Sequence, residues 1–278
     1  HVENLSTLLL AVTEQYEDLL TADELTLLHR FQGLSAAGKS LYYRLLTRRG
    51  PILRQDKLHY EDIPQLDTTL AELSDSGMAS INHVLDPVLL LNLLTRPELV
   101  QHFKPNGHSK LNKQQLTSLI LEQTRPAQVQ TILSSQFPYV EAHYQDAFAT
   151  FLVCFFGNSH QDLSEFVIRD LGHVQYERYS LCRETRYFQN RQQLEHQILY
   201  SAARQKLDDP LPMQNAEALI QLANSLPTPD QHPHLQRRYQ KTTIQIARQL
   251  ERLEYLSEAL TLYQLCDRHP SRERQARI

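Results

Sequence analysis

Residues 33–54 read GLSAAGKSLYYRLLTRRGPILR, and this stretch decides the fold that we predict for the front of the chain. Ser35 is a good helix N-cap, and the apolar residues after it recur at the spacing of an amphipathic helix. The pair Gly50-Pro51 then ends that helix, because proline cannot continue it. The alternating residues 52–60 that follow predict a short strand.

The segments on both sides of this stretch complete the predicted N-terminal region. Periodicity predicts helices over residues 3–20 and 61–77, and a second short strand over residues 78–84. Only seven glycines occur in 278 residues, and helix formers dominate the composition. Helices followed by a short strand hairpin are typical of a winged helix. We therefore predict a mainly α protein with a winged-helix-like region over residues 1–85.

The remainder of the chain divides into three predicted segments. They are a compact helix-turn-helix unit over residues 86–126, a connecting α-rich segment over residues 127–190, and paired helices over residues 191–278. Within the last segment, LEYLSEALTLY (253–263) has the spacing of a tetratricopeptide repeat, in which a small Ala lets two helices approach. Because this segment ends without a polar capping helix, we expect the chain to be a truncated fragment.

Composition excludes several classes of function. No apolar run approaches the roughly 18 residues that span a bilayer, so we expect no membrane partner. The three cysteines lie far apart, which predicts the reduced thiols of an intracellular protein rather than a disulfide framework. None of the 13 histidines stands at zinc-ligand spacing with another His or Cys, so we expect no metal in this chain.

The letters GLSAAGKS (33–40) match the P-loop pattern GxxxxGK[ST], but their context argues against a nucleotide site. A P-loop follows a strand, so that its backbone N–H groups surround phosphate at the start of the next helix. Here the preceding residues 25–31 have helical periodicity, and no apolar strand ends in an Asp that could hold magnesium. We interpret Ser35 as a helix cap and Lys39 as a surface base.

Two short basic segments stand out against an overall net charge of −4. Residues 29–60 contain seven Lys or Arg and one acid, a net of +6, and residues 100–125 contain four Lys or Arg and one acid. Arrays of cations bind phosphate backbones, and a helix N-terminus adds to the attraction. The alternative is a solvated charged surface without a partner. The predicted DNA-binding residues are Arg44, Arg48, Arg49, Arg54, Lys57, Lys104, Lys110 and Lys113.

No catalytic residue is predicted in this chain. Metal-dependent nucleases of the PD-(D/E)xK type need an acid-x-Lys motif on a strand, and acidic pairs such as Asp208-Asp209 lack one. Ser, His and Asp residues occur without the strand–turn–helix context of a nucleophile elbow. The cation pattern also contains no base-reading arrangement, so it favours recognition of DNA shape and backbone.

Three segments resemble the Fanconi-associated nucleases of DNA interstrand-crosslink repair: residues 31–63 without gaps, residues 105–121, and FVIRDLG (166–172). The resemblance implies the family's layout, in which an N-terminal helical part precedes a SAP-type DNA-binding unit, here residues 86–126. A tetratricopeptide-like domain, here residues 191–278, and a C-terminal VRR-NUC nuclease domain complete that layout. We expect the nuclease domain to be absent from this chain.

The resemblance also implies an activity and partners. The family cuts DNA near 5′ flaps and degrades it from 5′ to 3′, with magnesium or manganese bound in the nuclease domain. Residues that match duplex-contacting positions of the family are Arg44, Arg48, Arg49 and Lys57. The expected partner is branched or flapped DNA, in the cytoplasm and nucleoid of a bacterium or the nucleus of a eukaryote. Two other hypotheses stay open: a helical-repeat adaptor that captures a protein partner with residues 191–278, and an NTPase.

Overall fold

The computed structural model describes residues 2–48, 50, 52–107, 110–158, 183, 186–208 and 215–278. These residues fall into two compact units. The first consists of His1–Leu5 with Asp23–Gln145, and the second of Ser6–Ala22 with Asp146–Ile278. The predicted mainly α fold is confirmed, since helices account for most of the residues described in both units.

The helices and strands of the first unit follow one another at short intervals, and α1 (Val2–Tyr16) contributes its first turn. They are α2 (Ala22–Gly33), α3 (Ala36–Thr47), β1 (Ile52–Arg54), α4 (Leu66–Asp75), β2 (Ala79–Ile81), α5 (Pro87–Asn92), α6 (Arg96–Phe103), α7 (Lys113–Gln123), α8 (Pro126–Ser134) and β3 (Tyr139–Ala142).

Helix α3 begins where the sequence predicts it. The Ser35 hydroxyl accepts a hydrogen bond from the Gly38 amide at 3.0 Å, which satisfies one of the free N–H groups at the helix start. On its inner side Leu41 and Tyr42 are completely buried, and the Tyr42 hydroxyl donates to the His143 carbonyl at 2.7 Å. The burial of these two side chains determines which side of α3 faces the solvent.

The predicted hairpin between the strands at 52–60 and 78–84 is wrong. Strands β1 and β2 do not pair with each other, because β3 lies between them in a three-stranded sheet of order β1-β3-β2. Both pairings are antiparallel, with Leu53 opposite Val140 and Ile81 also opposite Val140. The central strand comes from the segment that we predicted to be connecting and α-rich.

Helices α5 to α8 share one hydrophobic core with the sheet. Side chains cap the starts of α5 and α7: Asp86 accepts from the Val88 amide at 2.7 Å, and Asn112 accepts from the Gln115 amide at 2.9 Å. The buried core residues are Ile52, Leu90, Leu91, Leu94, Leu99, Leu116, Ile120, Val129, Leu133, Phe137 and Tyr139. Because α8, Phe137 and Tyr139 fill this core, the helix-turn-helix segment packs together with elements that follow it in the chain.

The second unit is built from helices, and its described elements after α1 are a 3₁₀ turn (Glu17–Leu19), α9 (Gln145–Phe156), α10 (Arg191–Asp208), α11 (Ala216–Asn224), α12 (Pro233–Arg252), α13 (Leu256–Gln264) and α14 (His269–Gln275). In the hairpin of α12 and α13, Ala259 and Tyr263 are fully buried. No helix among the described residues has the length and apolarity to cross a membrane. The resembling segment 166–172 lies outside the described residues.

Candidate nucleic-acid interface

Tyr60 is the centre of the first basic cluster. The guanidinium groups of Arg44 and Arg48 lie over its ring, with 4.4 Å and 5.5 Å from the central guanidinium carbon to the ring centroid. The two arginines can share one ring because they stand four residues apart, with Arg44 in the last turn of α3 and Arg48 directly after it. The Tyr60 hydroxyl is buried and has no hydrogen-bond partner in the described part of the chain. We call Arg44, Arg48, Lys57 and Tyr60 the tyrosine platform.

Arg44 is already bound to an acid. Its Nη1 and Nη2 atoms donate to the two Asp62 carboxylate oxygens at 2.7 Å and 2.8 Å, and the Asp62 side chain is 56% exposed. The hydrogen bond from Arg44 lowers the pKa of Asp62 below its usual range. The local charge of Arg44 is therefore largely neutralised as the structure stands.

Arg48 and Lys57 keep their positive charges available. Arg48 Nη1 donates to the Lys57 carbonyl at 3.5 Å, so the two residues lie side by side, and both are exposed. Neither forms an ion pair with any of the residues that the structure describes. Arg49, predicted beside them, falls outside the described residues.

Arg54, unlike Arg48 and Lys57, is largely buried and paired with acids of the protein. Its side chain is 10% exposed and pairs with both Asp56 and Glu98 at 2.7 Å, while its guanidinium carbon lies 4.0 Å from the centroid of the Phe137 ring. This arrangement ties the turn after β1 to the start of α6. Two carboxylates would have to release Arg54 before it could contact a phosphate.

The pairing of Arg54 predicts a pH dependence of stability. Burial alone would raise the pKa of Glu98, but hydrogen bonds from Thr95 and Arg54 outweigh it and bring the pKa to about 2. A carboxylate whose folded pKa is lowered stabilises the protein above its unfolded pKa and loses that contribution as the pH falls. We expect Glu98→Gln to lower the free energy of unfolding at pH 7 by about 2 kcal/mol, after allowance for solvent screening. Urea unfolding should show this difference at pH 7 and only a small part of it at pH 2, which is close to the folded pKa.

The exposed Glu122 supplies the control for this experiment. Glu122→Gln removes the same charge without breaking an ion pair, so its stability should follow the wild-type curve at both values of pH. A Glu98→Gln effect that persists undiminished at pH 2 would show that the carboxylate contributes by packing rather than by its charge.

The second predicted cluster lies around the start of α7. Lys104 caps the C-terminal end of α6 with a left-handed backbone (φ 44°), Lys110 is exposed in the turn, and Lys113 is the first residue of α7. The Lys113 ammonium donates to the Asn92 carbonyl at 2.9 Å, which holds it against the end of α5. All three remain without a carboxylate partner among the described residues.

The P-loop-like letters form a helix start that is closed to phosphate. The Glu72 carboxylate accepts from the Ser35 amide at 2.6 Å and from the Ser35 hydroxyl at 2.7 Å. A side-chain carbon on Gly38 would come within 2.8 Å of the same carboxylate. The anion position at the start of α3 is therefore filled by the protein's own acid, and the structure agrees with the interpretation of Ser35 as a cap.

Sequence reasoning missed one group of cations. In the second unit a cleft of about 780 Å³ lies between α1, α9, α10 and α12. Arg204, Arg237, Arg238 and Lys241 line it together with Tyr16 and Tyr187. A signal was present, because residues 233–252 hold five Lys or Arg and one acid, a charge density similar to that of residues 29–60. Only the fold brings this helix together with Arg204 at one cleft.

The fold and these surfaces define a class: a mainly helical protein with a helix-turn-helix front region and exposed cations directly after α3 and in the turn after β1. Among the described residues, no three His, Cys, Asp or Glu side chains are grouped so that they could hold a metal ion. The family model described as FAN1, HTH domain, matches residues 1–80. Residues 1–80 therefore match a domain of the Fanconi-associated nucleases, and the chain is similar to members of that family.

Comparison with known relatives shows how much of the chain is similar to them. The Fanconi-associated nuclease 1 homolog of Pseudomonas aeruginosa is 29% identical over 269 residues, which cover 95% of this chain and 47% of that protein. Human Fanconi-associated nuclease 1 is 28% identical over 247 residues, 75% of this chain and 24% of that protein. A crystal structure of paFAN1 bound to 5′-flap DNA with a two-nucleotide flap and a gap superposes with a TM-score of 0.83 at 27% identity, over 99% of this chain and 50% of that one. The chain thus spans about half the length of the Pseudomonas relative.

Proposed function

We propose that this chain is the DNA-binding part of a structure-specific nuclease that acts at 5′ flaps in the repair of DNA interstrand crosslinks. The observation that carries the proposal is the tyrosine platform, where exposed Arg48 and Lys57 stand side by side without acidic partners in the described structure. The likeness to paFAN1, whose crystal structures contain 5′-flap DNA, supports the same assignment.

The chemistry of the platform suits a phosphate backbone. Guanidinium and ammonium groups bind phosphate oxygens with charge-assisted hydrogen bonds, and each neutralised phosphate releases counterions. Lys113 and the nearby Lys110 of the second cluster stand at the start of α7, where the helix dipole adds to their attraction for phosphate. Backbone contacts of this kind recognise the shape of a duplex or junction and carry no base sequence.

Cleavage belongs to another part of the whole protein in this proposal. Endonuclease and 5′-to-3′ exonuclease activity with magnesium or manganese would reside in a VRR-NUC domain outside this chain, and no residue of this chain is assigned to catalysis. Such a protein works where the genome lies, in the cytoplasm and nucleoid of a bacterium or in the nucleus of a eukaryote.

A salt titration tests the proposal directly. We expect the chain to bind a labelled 5′-flap duplex in a fluorescence anisotropy assay, with log K falling against log [salt] by about 0.9 for each phosphate contacted. Three to five contacts would give a slope of about −3 to −4.5. Addition of magnesium should leave the DNA uncut. Weak binding without salt dependence would contradict the DNA-binding role, and cleavage would contradict the placement of catalysis elsewhere.

A further inference from the structure

Asp62 holds Arg44 in the geometry that an arginine uses on a phosphate group. Two N–H···O bonds of 2.7 Å and 2.8 Å, one from each terminal nitrogen, join the planar guanidinium to the two oxygens of the carboxylate. Bidentate arginine contacts to phosphate have the same form, because both anions offer two oxygens at a similar separation. Asp62 therefore occupies the position where a backbone phosphate would otherwise sit on Arg44.

The surroundings keep Arg44 oriented without the carboxylate. The Tyr60 ring supports its guanidinium at 4.4 Å, and this contact does not involve Asp62. Apart from Arg44, the hydrogen-bond partner shown for the Asp62 carboxylate is the Ser40 hydroxyl, at a long 3.4 Å. The side chains of Arg44 and Asp62 are 30% and 56% exposed, so solvent screens their attraction. An exposed ion pair of this kind contributes little to stability, so a phosphate group that binds Arg44 can displace the carboxylate.

Arg48 provides the contrast within the same platform. It faces the same ring as Arg44, but it donates to a backbone carbonyl and has no carboxylate on it in the described structure. One arginine of the platform is thus ready for phosphate, and the other is closed by an acid of the protein itself. The acid comes from the segment after Tyr60, where seven acids between residues 61 and 99 follow the basic segment.

We propose that Asp62 competes with DNA phosphate for Arg44, so that Arg44 contacts the backbone only where a phosphodiester displaces this carboxylate. The inference rests on the proposed DNA-binding function and adds a regulation of the same site. Duplex that reaches only Arg48 and Lys57 is held by fewer contacts, while DNA that places a phosphate against Tyr60 gains the additional contact of Arg44. Asp62 in this way lowers the affinity for DNA that does not fit the platform.

Asp62→Asn tests the competition, because the amide keeps the size of the carboxylate and removes its charge. We expect the affinity for a 5′-flap duplex to rise three- to tenfold, and the salt slope to steepen by about 0.9, the value of one further phosphate contact. The measurement is a fluorescence anisotropy titration at several salt concentrations. Thermal unfolding should be close to that of the wild type, since the side chain is more than half exposed.

The neighbouring Glu61 offers a matched control. It is exposed and forms no ion pair within the described residues, so Glu61→Gln changes the net charge by the same amount without releasing an arginine. We expect a small rise in affinity with an unchanged salt slope. Addition of Arg44→Gln to the Asp62→Asn variant should cancel the gain, because the released guanidinium is then missing.

Each other result overturns the inference. Equal salt slopes for Asp62→Asn and Glu61→Gln would show that Arg44 gains no phosphate, and weaker binding by Asp62→Asn would make Asp62 a support of Arg44 rather than a competitor. In both cases the wild type still binds DNA, and the proposed function stands. Absence of binding by the wild type and by every variant would overturn both the function and the inference.

Discussion

Reversal of the two free charges on the tyrosine platform, Arg48→Glu with Lys57→Glu, is expected to lower the affinity for a 5′-flap duplex by about 100-fold or more. A hydrogen bond to a charged group contributes about 1.5–3 kcal/mol, which corresponds to at least about tenfold in affinity for each lost contact. The introduced carboxylates also repel the backbone. The salt slope should fall by about 1.8, since two phosphate contacts disappear. Anisotropy titrations of the single and double variants measure both quantities.

Lys206 provides a control for the change in net charge. It is exposed on α10 in the second unit and lies outside both predicted clusters. Lys206→Glu alters the charge as much as either single variant, and we expect an affinity within about threefold of the wild type because no phosphate contact is removed. If all three single variants weakened binding equally, overall charge rather than the platform would govern the affinity.

Truncation of Leu90 is expected to have the largest effect on stability. The side chain is fully buried in the core that α5 to α8 share with the sheet. Leu90→Ala removes buried apolar surface and leaves a cavity, which costs about 2–5 kcal/mol of unfolding free energy. Urea unfolding followed by circular dichroism measures the loss. Amide hydrogen exchange should place it in the first unit, with faster exchange in α5 to α8.

The adjacent Leu89 makes this experiment specific. Its side chain is 42% exposed on the outer side of the same helix. Leu89→Ala has the same chemistry and helix propensity as Leu90→Ala, yet we expect a loss below about 1 kcal/mol because little buried area is removed. Equal losses for the two variants would contradict the orientation of α5 in the structure.

Local patterns predicted the helices well for a physical reason. The cap at Ser35, the break at Gly50-Pro51 and the periodic apolar residues of α10 to α13 act over four or five residues, which is the range of helical hydrogen bonds. The same short range brings Arg44, in the last turn of α3, and Arg48, directly after it, to one ring. The likeness of residues 31–63 to a known family also rested on this locally determined segment.

The sheet shows where local patterns fail. β3 is four residues long, too short for its alternation to stand out between α8 and α9. Its partners lie about 60 and 87 residues upstream in the pairs Ile81 with Val140 and Leu53 with Val140. Strand pairing of this separation depends on which chain segments meet in space, and no property of the individual segments encodes it.

The sequence by itself determined that the chain is mainly helical, that α3 begins after Ser35, and that positive charge is concentrated between residues 29 and 60. Tertiary structure alone decided which of those charges remain available. Arg44 and Arg54 meet carboxylates brought from Asp62 and Glu98, whereas Arg48 and Lys57 do not. The reason is that charge is a property of each residue, but its neutralisation depends on distances of a few ångströms between residues up to 44 positions apart.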